Sequence, residues 1–537
     1  MKPALAIVLA SLTAGCASGV RPNADPPWLR IGLTTEPNSL SPLLALNDYE
    51  QLTDRLIFDV LVTADAGGRR LVPRLAAVVP SVENRGVSRD GRTLTYHLRR
   101  NVRWHDGVPF TSKDVAFSYA AIMNPANNVP NRHGYDLIAS VATPDPYTVV
   151  FSMKRPFGPA VASLFSDTVP NAILPAHLLG REKNLNRIPF NDRPVGTGPY
   201  RVVRWDRGDR IELEANDDYY LGRPKIARLS IRFASDENAM INLVRTHAVD
   251  LYTQASVNAY GRLKTLPDVA TALGDAHAAS TVLINTTRPI LRDVRVRRAI
   301  AAAIDKRAIV KNFVFGAGLV ATGDLPPFMW ASNPHLQADD FDPQRARTLL
   351  RQAGWKPGND GIAVKAGRRL ALDFAYAQNN ITTRLIAVQL QSSLRAAGIE
   401  LGLKGYTTQQ MFNAYAAGGV YQTGSFDVAW YTMTLGIDPD SAARFSCDAV
   451  PPNGQNYSRY CNRAMDAAQR AGLDAVDETT RRQAYFRSQQ LLLGDVPIVF
   501  VFWPKNVDAY DPRLRGFAAN PVVPTWNAQD WSLRRGT

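Results

Sequence analysis

His105 and Asp106 stand side by side in Trp104-His105-Asp106-Gly107, and an imidazole beside a carboxylate is the raw material of general acid–base catalysis. Adjacent residues on a turn point in different directions, however, so a turn held by Asp106 and covered by the Trp104 ring is the better reading. The chain has no G-x-S-x-G, S-x-x-K or H-E-x-x-H. Pro194-Val195-Gly196-Thr197-Gly198-Pro199-Tyr200 could pass for a phosphate-binding glycine loop, yet Pro199 lacks an N–H and no helix with a downstream Lys-Ser or Lys-Thr follows. Two glycines between prolines instead force a tight, rigid course. The seven histidines are scattered and there is no CxxC, so neither a metal site nor a cofactor is expected. Asp438-Pro439-Asp440 closes a Gly-flanked turn after Trp430 to Ile437; its carboxylates can orient a ligand or cap the next helix.

These groups must be carried by regular elements. Leu29 to Thr34 reads as a strand and Tyr49 to Val62 as a helix. Asp90-Gly91 turns into the alternating strand Thr93 to Leu98, and Thr111 and Ser112 offer N-caps. Val296, Ala299, Ile300, Ala303 and Ile304 repeat at helical spacing behind Asp293, leaving the arginines outside. Asp342-Pro343 opens a helix that Gly354 stops, Thr382 to Ala397 is amphipathic, and Phe426 to Trp430 is β-rich.

With 537 residues and 45% hydrophobic content, the chain can fill two or three packed domains. Its net charge of +14 is spread in twos and threes without a nucleic-acid motif, so no nucleic-acid partner is expected, while attraction to anionic lipid or ligand stays open. Met1 to Gly15 has one charge at Lys2, an apolar run from Ala4 to Leu12 and small residues before Cys16, the layout of a secretory signal peptide. Cys16 at the cleavage point resembles a lipoprotein's lipidated cysteine, although Thr13 stands where leucine is commoner. In an oxidising compartment the remaining pair, Cys447 and Cys461, is most simply a disulfide.

Ser88 to Tyr119 combines a DG turn, a T-x-H-L-R strand, W-H-D-G and P-F-T-x-x-D-V. PVGTGPY, Asn216 to Pro224, D-x-R-V-R-x-A at Asp293 and the Asp342 to Trp355 helix follow in order. Together, from about Leu29 to Phe517, they resemble the family 5 extracytoplasmic solute-binding proteins of ABC importers. The resemblance implies an α/β, periplasmic binding protein type II-like fold: two lobes with mixed sheets, an extra domain inserted in lobe I, and a hinge of crossing strands. On that pattern residues 1–15 are the signal peptide, 16–27 a linker, 28–65, 190–280 and 495–537 lobe I, 66–189 the inserted domain, and 281–494 lobe II. It implies a lipid-anchored, extracytoplasmic monomer that performs no chemistry and hands a small-molecule or peptide ligand to ABC permease subunits with their ATPases.

Peptide or peptide-like solutes lead; oligosaccharide, opine or metal chelate, or a secreted hydrolase on a related scaffold, are the alternatives. The ligand-contact candidates are Glu36, Asn38, Asn47 and Tyr49 after the first strand, Tyr406 and Thr408, then Trp430, Thr432, Asp438 and Asp440, and Trp503 near the last crossover. Two positions depart from the peptide-binding members. Thr434 to Ile437 offers no acid ahead of Asp438, and no arginine lies between Phe374 and Asn380. Both argue against a classical dipeptide, whose terminal charges would go unpaired in a closed cleft.

Overall fold

The computed structural model describes residues 28–45, 48–167, 173–234, 236–337 and 340–534; the expected signal peptide and linker, Cys16 and Asn47 lie outside them. A twelve-stranded mixed sheet organises the chain. Its strands are β1 (Trp28–Leu33), β2 (Tyr200–Asp206), β3 (Arg210–Ala215), β4 (Arg228–Phe233), β5 (Leu251–Ala255), β6 (Ala270–Asp275), β7 (Ala278–Ile284), β8 (Gly318–Val320), β9 (Ala371–Ala377), β10 (Glu400–Tyr406), β11 (Val428–Thr434) and β12 (Ile498–Tyr510). The spatial order is β10-β9-β11-β7-β12-β5-β1-β4-β3-β2, with β6 and β8 also on β12.

β12, 13 residues long, belongs to both lobes. Its first half pairs antiparallel with β7, from Leu283 opposite Ile498 to Ser280 opposite Phe502. Its second half pairs with β6, from Asp275 opposite Lys505 to Ala270 opposite Tyr510. Pro504, opposite Gly318, sits at the handover, where a missing N–H interrupts the ladder least. The second crossing is the β6–β7 connection through Ala276 and His277, and Lys505 pairs with Asp275 beside it. Two crossing strands are the geometry of a hinge.

The inserted domain packs the Ser112–Met123 helix on a three-stranded sheet of Thr93–His97, Thr148–Met153 and Ile138–Asp145. It shares one apolar core with lobe I, running from Leu29 and Ile31 to Tyr96, Trp104 and Phe151. Thr111 caps its helix in a reciprocal box with Asp114. Lobe II has cores on both faces of its sheet, one around Ile300, Leu390 and Trp430, the other around Tyr431, Phe500 and Trp503.

Three expectations are corrected. The first helix is Asp48–Ile57 instead of Tyr49 to Val62, because Val62–Ala64 turns into a strand paired with Leu71–Pro73. The helix after Asp293 ends at Ala302, and Asp305 caps the next one, accepting from the Ala308 N–H at 2.9 Å. Arg297 is buried rather than outside: its guanidinium donates to the carbonyls of Leu291, Arg292, Asp495 and Val496 at 2.5–3.2 Å.

Candidate functional site

The acid–base candidate dissolves into structure. His105 donates its backbone N–H to the Gly196 carbonyl at 2.9 Å, its Nδ1 accepts from the Gly196 N–H at 3.2 Å, and its Nε2–H donates to the Gly198 carbonyl at 3.0 Å. Those partners assign the neutral tautomer. Burial pushes the His105 pKa down to about 4, against the opposing hydrogen bond to Gly198. Asp106 turns away to His177 Nε2 at 2.7 Å. The two signature segments are thus clasped together. A Cβ on Gly196 would lie 1.9 Å from the Ile57 carbonyl oxygen, which is why glycine is needed there.

A cavity of about 1100 Å³ lies between the inserted domain and lobe II. Arg69, Leu71, Val87 and Phe157 wall one side, Phe328, Trp330, Ile437 and Asp438 the other. Asp438 is already engaged, because Arg481 Nη2 donates to both its oxygens at 2.7 Å. Burial raises the Asp438 carboxyl above its usual range and the Arg481 guanidinium pulls it back. Asp440 accepts from the Ala442 N–H at 2.9 Å and faces His133 of the inserted domain, Nε2 to Oδ2 3.5 Å. Burial disfavours its charge, but these partners and Arg444 hold its carboxyl below the ordinary value.

The other candidates divide between the lobes. Glu36 accepts from Trp205 Nε1 at 3.0 Å and from the Gly208 N–H at 3.1 Å. Asn38 donates its backbone N–H and its Nδ2 to Glu50 Oε1 at 3.0 and 3.1 Å. The Tyr49 hydroxyl accepts from Thr34 at 3.0 Å, and Thr408 donates to Asn379 Oδ1 at 2.9 Å. Tyr406, at the end of β10, packs half-buried on the lobe II core. Trp430 is buried against Phe502, ring centroids 6.0 Å apart. Thr432 is exposed on the same face of β11, its hydroxyl 3.0 Å from that of Ser280. Trp503 is buried and its indole N–H has no partner among the described residues. Cys447 and Cys461 form a disulfide just beyond the Asp438–Asp440 turn.

The residues that bridge the lobes include several the sequence did not reveal. His277, at the β6–β7 crossing, reaches the Gly436 carbonyl of lobe II with Nδ1 at 2.9 Å and the Gly68 carbonyl, at the start of the inserted domain, with Nε2 at 3.1 Å. Burial pushes its pKa below the ordinary value, against both hydrogen bonds. Arg155 of the inserted domain pairs with Asp474 at 2.9 Å, and the Gly158 N–H donates to the Leu473 carbonyl at 2.6 Å. One signal for His277 was its place between two β runs; nothing local marked His133 or Arg155. The arrangement offers a partly open space with aromatic and charged walls.

Residues 70–449 match the family described as bacterial extracellular solute-binding proteins, family 5 Middle. The chain is 27% identical over 523 residues to the oligopeptide-binding protein AppA of Bacillus subtilis, covering 94% of this chain and 92% of that one. It is 26% identical over 488 residues to the dipeptide-binding protein of Escherichia coli, covering 87% of each. Its fold superposes on NikZ from Campylobacter jejuni, solved with Ni(L-His), with a TM-score of 0.78 and 26% identity over 94% of this chain and 99% of that one.

Proposed function

The chain belongs to the bacterial extracellular solute-binding proteins of family 5, and from that premise we propose that it captures peptide or peptide-like solutes outside the cytoplasm and delivers them to an ABC permease. The observation that carries this reading is the pair of lobes joined by β12 and the His277 crossing, with a cavity of about 1100 Å³ between lobe II and the domain inserted in lobe I. That volume is at the upper end of what a small ligand fills and suits a short peptide.

Closure follows from differential contact. The inserted domain meets lobe II directly through polar contacts such as Arg155–Asp474 and His133–Asp440. The exposed Arg155–Asp474 pair is worth under about 1 kcal/mol. A ligand touching both walls adds the rest, so the closed state becomes the populated one when occupied. The named relatives bind oligopeptides and dipeptides, which favours peptides. The neighbour solved with Ni(L-His) keeps a metal chelate as the second reading. ATP hydrolysis falls to the permease's partners, and the chain itself does no chemistry.

Cys16 serves in this reading as a lipid tether for a monomer. Mass spectrometry of the membrane-extracted N-terminus checks it, and an unmodified Cys16 would sink the tether. Native mass spectrometry of protein purified without denaturation identifies the cargo. Small-angle scattering with and without that cargo reads closure. Turnover of a peptide or ester library would overturn the binding-protein reading.

A further inference from the structure

His133 of the inserted domain and Asp440 of lobe II face each other, Nε2 to Oδ2 3.5 Å, and both are held in place by their own neighbours. The His133 backbone N–H donates to Asn131 Oδ1 at 2.8 Å, and its ring meets Phe157 edge to face, centroids 5.8 Å apart. Asp440 commits Oδ1 to the Ala442 N–H at 2.9 Å, which leaves Oδ2 for the imidazole. Its own N–H donates to Asp438 Oδ1 at 3.1 Å, and Arg481 fixes Asp438. Phe157 and Asp438 both line the cavity, so the pair stands at its edge with one wall behind each member.

An imidazole gains or loses its charge near neutral pH, and here its carboxylate partner belongs to the body that must move when the cleft opens. We infer that His133 and Asp440 form a proton-operated latch, in which protonation of His133 draws the inserted domain onto lobe II and favours the closed cleft. This rests on the binding-protein reading and adds a regulator to its cavity. Asp136 and Arg155 also face His133 from its own domain, and Arg444 acts on Asp440 from lobe II. The hydrogen bond to Asp440 holds the His133 imidazole above its ordinary value; burial and Arg155 oppose, and Asp136 adds to the rise. Opening removes Asp440, so the closed form binds the proton more tightly and closure takes one up. The latch is therefore complete below about pH 6.5 and is lost as pH rises through the raised value. It is lost again only where acid protonates Asp440, below the ordinary carboxylate range.

The test is small-angle scattering of the ligand-free full chain at pH 5.5, 7 and 8.5, for wild type and His133→Gln, with trialanine titrated calorimetrically under the same conditions. His277 at the hinge and the His177–Asp106 pair titrate in both proteins, so the comparison isolates His133. We expect a wild type more compact at pH 5.5 than at pH 8.5 and no such difference in His133→Gln. Wild type should also bind trialanine about threefold more tightly than the variant at pH 5.5, an advantage that vanishes at pH 8.5. A wild-type envelope that ignores pH, or a pH response equal in His133→Gln, overturns the latch. Failure of wild type to bind trialanine counts against the peptide reading, and the ligand-free scattering still decides the latch.

Discussion

His105 shows how a residue with a chemical reputation is put to structural use. Its pKa of about 4 lies below the ordinary 6.5, so the unfolded chain takes up its proton first as pH falls. Stability is therefore full above about pH 6.5 and is lost progressively down to about pH 4, by at most about 3 kcal/mol. Urea unfolding at pH 7 and pH 4.5 should show this loss, and His105→Asn should flatten the pH slope. A second prediction concerns Arg481. Arg481→Met leaves the buried Asp438 carboxylate unpaired and should cost about 3–5 kcal/mol, whereas adding Asp438→Leu recovers much of it. A double-mutant cycle by chemical denaturation reads the difference. The sequence exposed the His105 turn but not its partner, because Gly196 is 91 positions away and no spacing rule connects them. Asp438 was visible as a carboxylate; that Arg481 claims it depends on a helix 43 residues on.

At the level of elements, hydrophobic periodicity located the helix after Asp293 and the strand run at Phe426, but it judged Arg297 by its neighbours and put it outside. What buries Arg297 is the end of another helix. Val496 closes Glu478–Asp495 with a φ of 46°, a left-handed conformation unusual for a β-branched residue. Arg297 collects the carbonyls of Asp495 and Val496 just before β12 begins. Arg297→Ala should destabilise by about 2–3 kcal/mol. Arg297→Lys should recover little, since an ammonium lacks the planar fork that spans four carbonyls. Thermal melts of both variants decide it. The over-long first helix has a similar cause. Phe58 to Val62 is nearly all apolar and fits a helix or a buried strand equally, so packing made the choice.

For the whole molecule, ordered motifs were enough to place the chain in two lobes with an insertion, since each motif marks a fixed station along one topology. The cleft was far less legible. Phe157, Phe328, Asp438 and Arg481 line its cavity from segments scattered over most of the chain, and only the fold brings them near each other. Closure should respond to contacts at the rim. Arg155→Glu opposes Asp474 with like charge across the lobes and should weaken ligand binding about fivefold, with a more open envelope in scattering and little change in melting temperature.

β12 has one more consequence, for the order of events as the chain is made. Without it the main sheet separates into β10-β9-β11-β7 and β5-β1-β4-β3-β2 and leaves β6 and β8 unpaired. Its residues, Ile498–Tyr510, are synthesised after every other strand of that sheet. Neither lobe's sheet can be completed before that strand is made, so the native assembly forms last around a single shared strand.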